Sequence, residues 1–139
     1  MPQPISYDSQ RLDLTKRFQV TTTVGASPAL AAETIIGTLT LTGFSDTAVV
    51  SGVIVSGWAA YTVGTSGTAV TLRIRQTNVS GTVVVSTGAL TRAAASLAAD
   101  DVNGFDSGAG VGVYVLTMQV TAGAAASTVS ALLLSAEIV

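Results

Sequence analysis

Cysteine and histidine are both missing from this 139-residue sequence, and lysine occurs once, at Lys16. Without thiol or imidazole there can be no disulfide framework, Cys nucleophile, Ser-His-Asp triad, His base or thiolate and imidazole metal site. A Ser-Lys dyad would have to draw on the single lysine, which lies near the N-terminus. Most enzyme classes are thereby excluded, and neither catalytic residues nor a cofactor is expected. Charge is scarce as well: six cations and eight anions, 10% of the chain, give a net charge of -2. No cluster of Lys and Arg marks a nucleic-acid footprint, so nucleic acid is not an expected partner.

Long uncharged runs, 47–72 and 107–136, call for a membrane check. Both are interrupted by Gly, Ser and Thr every few residues and alternate with period two, which suits half-buried strands better than a spanning helix. Three Tyr, three Phe and one Trp are too few for the two aromatic girdles of an outer-membrane barrel. The opening MPQPISYDSQ has neither a basic nor an apolar signal-peptide region, so no export signal is expected.

What is present is Ala, Thr, Val, Ser and Gly, which make up most of the chain. This small and β-branched vocabulary predicts an all-β fold. Charge density divides the sequence. Residues 1–17 carry Asp8, Arg11, Asp13, Lys16 and Arg17 and read as an N-terminal arm, whereas 18–139 read as one β-domain. Eight strands are expected: 18–24, 34–42, 47–58, 59–63, 68–77, 81–87, 111–120 and 128–139. Gly and Asn punctuate them as turns, including Asn78-Val79-Ser80. Short antiparallel connections of this kind predict an antiparallel β-sandwich.

Period two assigns faces. Val70, Leu72 and Ile74 alternate with Thr71, Arg73 and Arg75, giving one apolar and one polar face. In 111–120 both rows are fairly apolar. In the last strand Leu132, Leu134 and Ile138 oppose Val129, Ala131, Leu133 and Val139. Strands apolar on both sides need a second cover, from a further layer or a neighbouring subunit. The Ala-rich stretch 90–101 fits either two or three helical turns or an irregular connection.

Candidate sites follow from residue type. Asp100, Asp101 and Asp106 are close enough in sequence to hold calcium at a loop, although Gly104 and Phe105 break the EF-hand spacing and a solvated turn explains them more simply. Gly108, Gly110 and Gly112 form a GxGxG string that precedes a strand rather than a helix, so it reads as a flexible loop. Arg73 and Arg75 share a strand face where their guanidinium groups can fork onto carboxylates of a partner chain, or simply face solvent. Trp58 is expected as a core plug; an exposed Trp58 would instead be an interface anchor. The arm mixes Ile5, Tyr7, Leu12, Leu14 and Phe18 with Arg11 and Arg17, a content too apolar for a free tail. It is expected to dock, either on its own domain or on a neighbouring chain.

The stretches TAVTLRIRQTNVSGTVVVSTG and GVYVLTMQVTAGAAASTVSALLLSAEIV, with the short arm and the near absence of lysine, resemble small bacteriophage head decoration (cement) proteins. The resemblance implies a jelly-roll-like sandwich, a homo-oligomer, commonly a trimer, and a place on the capsid surface clamping adjacent major capsid protein subunits. Contacts would run through Tyr7, Arg11, Leu12, Leu14, Arg17, Phe18, Arg73 and Arg75. A phage receptor-binding or fibre-tip module, binding a host glycan or protein through exposed loops, is the alternative. The shortage of loop aromatics, Asp and Asn counts against a sugar site.

Overall fold

A computed structural model describes residues 17–22, 32–41, 52–64, 69–107, 112–121 and 127–139. These form nine strands: β1 Arg17–Thr22, β2 Thr34–Thr40, β3 Val53–Thr62, β4 Ala69–Gln76, β5 Val83–Ser86, the two-residue β6 Leu90–Thr91, β7 Leu97–Asp106, β8 Val113–Thr121 and β9 Thr128–Ile138. Among the described residues there is no helix, and none long and apolar enough to cross a membrane.

The strands build two antiparallel sheets. Sheet A runs β1-β9-β3-β7, and sheet B runs β2-β8-β4-β5 with β6 also against β4. The pairs β4/β5, β3/β7, β2/β8 and β1/β9 are nested in sequence, like one long hairpin bent at 77–82. Rolling that hairpin adds the pairs β3/β9 and β4/β8. The result is a jelly-roll β-sandwich, two Greek keys wound together. The bend itself is tight. Thr77 has φ 69°, the Ser80 amide donates to Asn78 Oδ1 at 2.8 Å, and any Cβ on Gly81 would collide with the Gln76 carbonyl.

The core lies between the sheets. Val55, Tyr61, Leu132, Leu134 and Ile138 of sheet A meet Leu72, Ile74, Tyr114, Leu116 and Met118 of sheet B, all fully buried. Each large apolar side chain so buried contributes roughly 1.5–3 kcal/mol. Closure at one flank is close: a Cβ on Gly104 of β7 would lie 2.7 Å from Val85 Cβ of β5, so only glycine lets the two strands approach.

Three expectations are corrected. The segments 47–58 and 59–63 do not make two strands, because β3 runs unbroken from Val53 to Thr62; residues 47–51 lie outside the described residues. The stretch 90–101 is neither helix nor loop. It holds β6, a turn with Ala95 at φ 55°, and the start of β7, which forms a ten-residue ladder with β3. Finally, β9 is not apolar on both faces. A bulge leaves Ser130 unpaired between Ala60↔Ala131 and Tyr61↔Val129, and the extra residue flips parity. Val129, Leu132, Leu134, Ala136 and Ile138 therefore all reach the core. In β8 both rows are buried along Tyr114–Met118.

Candidate interaction surface

The strand register arranges the outer face of sheet A in rows that run across β9, β3 and β7. Opposite one another in the first row stand Glu137, Ile54 and Phe105; in the third, Leu133, Trp58 and Asp101. The rows between them are small: Ser135, Ser56 and Asn103, then Ala131, Ala60 and Ala99. Leu97 stands opposite Thr62 at the far end. Four of the chain's large exposed apolar side chains share this face: Ile54 at 42%, Trp58 at 39%, Leu97 at 77% and Phe105 at 53% exposure. Several large apolar side chains exposed on one sheet face mark a candidate contact site. Trp58 is thus not the expected core plug. It shares parity with Ser56 and Thr62, and Gly57 and Ala59 take the inward positions beside it.

The outer face of sheet B carries two exposed apolar side chains, Ile35 on β2 and Val83 on β5, on either side of an internally paired polar cluster. Arg75 forks onto Glu33, Nε to Oε1 at 2.6 Å and Nη2 to Oε2 at 2.8 Å, and gives Nη1 to the Gly81 carbonyl at 2.8 Å. Thr117 donates its hydroxyl to Glu33 Oε1 at 2.5 Å. Arg73 brings Nη1 to 3.2 Å from Glu33 Oε2 and 3.1 Å from Gln119 Oε1. The Arg75 hydrogen bonds, with Thr117 and Arg73 behind them, outweigh burial and hold the Glu33 carboxyl below its ordinary 4.5. Two guanidinium groups share one carboxylate, which leaves this site with one net positive charge.

Two further polar sites line the inner face of β7. Asp100 accepts from the Tyr61 hydroxyl and from Arg92, whose Nε lies 3.2 Å from Oδ2. Asp106 Oδ2 accepts from Tyr114 at 2.8 Å and Gln76 Nε2 at 2.7 Å. Burial, then the hydrogen bond to Asp100, pushes the Tyr61 phenol up to about 12, and burial likewise raises Tyr114.

This geometry disperses the acidic cluster expected at a loop. Asp100 and Asp106 point inward six residues apart on a strand, roughly 20 Å at ~3.3 Å per residue. Asp101 points outward, with its Oδ2 2.8 Å from Asn103 Nδ2. Among the described residues no three metal-ligating side chains converge. Asn78–Ser80 is the expected turn. Gly108 and Gly110 lie outside the described residues, as do Tyr7, Arg11, Leu12 and Leu14. Arg17 and Phe18 open β1, at the register positions of Glu137 and Ala136. Arg73 and Arg75 are brought together on β4. Nothing in the sequence VIVSGWAAYT singles out the apolar face of Ile54, Leu97 and Phe105, because Val53, Ile54 and Val55 are apolar in succession and only the fold makes their burial alternate.

No protein-family model and no curated protein matches this sequence. Among solved structures, a chain of Bacillus endospore appendages, a family of disulfide-linked pili, is 22% identical with 90% of each chain covered, at a TM-score of 0.45. Two viral chains align better in space. One, from the T13 particle of IBDV, gives a TM-score of 0.63 at 9% identity over 89% of this chain; the other, from infectious bursal disease virus strain Gx, gives 0.58 at 11% over 87%. The present chain spans about a third of each viral chain, 31% and 33%. At such identity the likeness is one of fold: the sandwich of this chain is similar to a sandwich found in virus particles.

Proposed function

We propose that this chain is a structural virion protein without enzymatic activity, a decoration or cement protein that works as a homo-oligomer, commonly a trimer in such proteins, on the capsid surface of a bacteriophage. Its task is adhesion. Each copy buries apolar sheet surface against a neighbour, while the arm, through Tyr7, Leu12, Leu14 and Phe18 with Arg11 and Arg17, engages the major capsid protein or the next subunit. Linked weak contacts of this kind sum to high avidity. Arg73 and Arg75 add a net positive spot for a neighbour's carboxylate.

The observation that carries this reading is the exposure of Ile54, Trp58, Leu97 and Phe105 on one face of a jelly-roll sheet. A chain with neither His nor Cys has few means of bond-making chemistry, and its jelly roll is a fold it shares with chains of a virus particle. The test is cosedimentation with purified capsids of the cognate phage. The intact chain is expected to pellet with capsids, and a chain lacking residues 1–17 and carrying Phe18→Ala, which keeps β1 from residue 18 onward, is expected to stay folded but remain in the supernatant. Binding that survives the truncation sinks the role of the arm; no binding by the intact chain sinks the cement reading.

A further inference from the structure

The outer face of sheet A is ridged. Rows of large side chains, Ile54 with Phe105 and Leu133 with Trp58, alternate with rows of Ser, Asn and Ala. Successive rows are two residues apart, about 7 Å along the strand. We infer that this face is self-complementary and docks on the same face of a second copy, in a two-fold contact whose axis runs across the strands between the Ser56 and Trp58 rows. The inference rests on the assembly reading above and gives the contact between copies as a two-fold pair, in place of the trimer common in such proteins.

Rotation about that axis lays β3 over β3 of the mate with strand direction reversed, and it exchanges ridges with troughs. The Trp58 ridge enters the trough of Ser56, Ser135 and Asn103, and the ridge of Ile54 and Phe105 enters the alanine trough of Ala60, Ala99 and Ala131. Charge obeys the same exchange. Asp101 meets Asn103 of the second copy rather than its own equivalent, and Glu137 meets Ala131, so no like charges are opposed. Sheets packed this way lie about 10 Å apart. Three strands of ten or eleven residues and the six-residue β1 present a face of roughly 550 Å² on each copy, so the pair buries about 1,100 Å², close to the lower limit for a specific contact between proteins.

The absence of cysteine makes the test clean. In the double variant Ile54→Cys with Ala60→Cys, each thiol faces the other kind across the axis, and a short bis-maleimide is expected to give a covalent dimer. The single variants are expected to give none, because like positions lie three rows apart, about 20 Å. Trp58→Glu, at an outward position of β3, is expected to abolish the dimer in sedimentation while the variant keeps the β-sheet circular-dichroism spectrum of the parent. An oligomer that the double variant does not link overturns this face but spares the assembly reading. A monomer at tens of micromolar overturns the inference, and capsid binding by that monomer leaves the cement reading standing.

Discussion

Tyr61 of β3 donates its phenolic hydrogen to Oδ2 of Asp100 on β7, and this bond is how an edge strand with inward-facing carboxylates is kept on an apolar core. A buried carboxylate is tolerable only when its lone pairs are met. Tyr61 and Arg92 meet those of Asp100, as Tyr114 and Gln76 meet those of Asp106. Tyr61→Phe keeps the shape and removes one donor, and is expected to cost about 1–2 kcal/mol in urea unfolding.

The same pair sets alkaline behaviour. The folded Tyr61 titrates at about 12 against an ordinary 10.0, so the native state holds its proton where the unfolded chain has lost it. Stability from this source is complete below pH 10 and falls as pH rises towards 12. Melting temperature followed across that window should decline with a shallower slope in Tyr61→Phe than in the parent.

At the acid end the controlling group is Glu33. Its carboxyl is held below 4.5, so its contribution is present above that value and is lost as pH falls below it. Glu33 is about one-seventh exposed, at 14%, which screens the pair in part. Glu33→Gln is expected to cost about 1–2 kcal/mol at pH 7, because a charged fork is worth more than a neutral hydrogen bond. The difference from the parent should shrink on acidification, as read by denaturant midpoints.

Backbone approach gives an overpacking test. A Cβ on Gly57 would stand 2.9 Å from Leu116 Cδ1 and 3.3 Å from Val102 Cγ1. Gly57→Ala is expected to lower stability by about 1–3 kcal/mol. The opposite sign is expected at Thr77, a β-branched residue at φ 69°. Thr77→Gly relieves strain of roughly 1–2 kcal/mol and gives back part of it as chain entropy, for a net gain of up to about 1 kcal/mol in the unfolding midpoint.

Legibility in the sequence followed how closely each strand kept to the ordinary rule. In β4 alternation alone placed Val70, Leu72 and Ile74 in the core and Arg73 and Arg75 outside it. β7 also alternates, but with its polarity inverted: Asp100 and Asp106 face in while Leu97 and Phe105 face out. Its carboxylates become tolerable through Arg92 and Tyr114, eight residues away, and through Tyr61 on β3 and Gln76 on β4, thirty or more residues away, pairings that alternation within β7 does not announce. β9 deceived by one residue, since the bulge at Ser130 resets parity halfway along. Trp58, expected in the core, faces outward because it sits inside β3 and not at its end, with Gly57 and Ala59 in the inward positions.

The nested hairpin also dictates how the chain must fold. Only the bend at 77–82 joins partners close in sequence; each further pair encloses more chain, ending with Arg17 beside Glu137. Loop closure makes such distant partners slow to meet, which places refolding in the range of milliseconds to seconds. Zipping outward from the bend would leave β1 to dock last, after the rest of sheet A has formed. Until it does, β9 exposes an open edge that β1 of another chain could occupy, and strand exchange would compete with correct closure at high concentration.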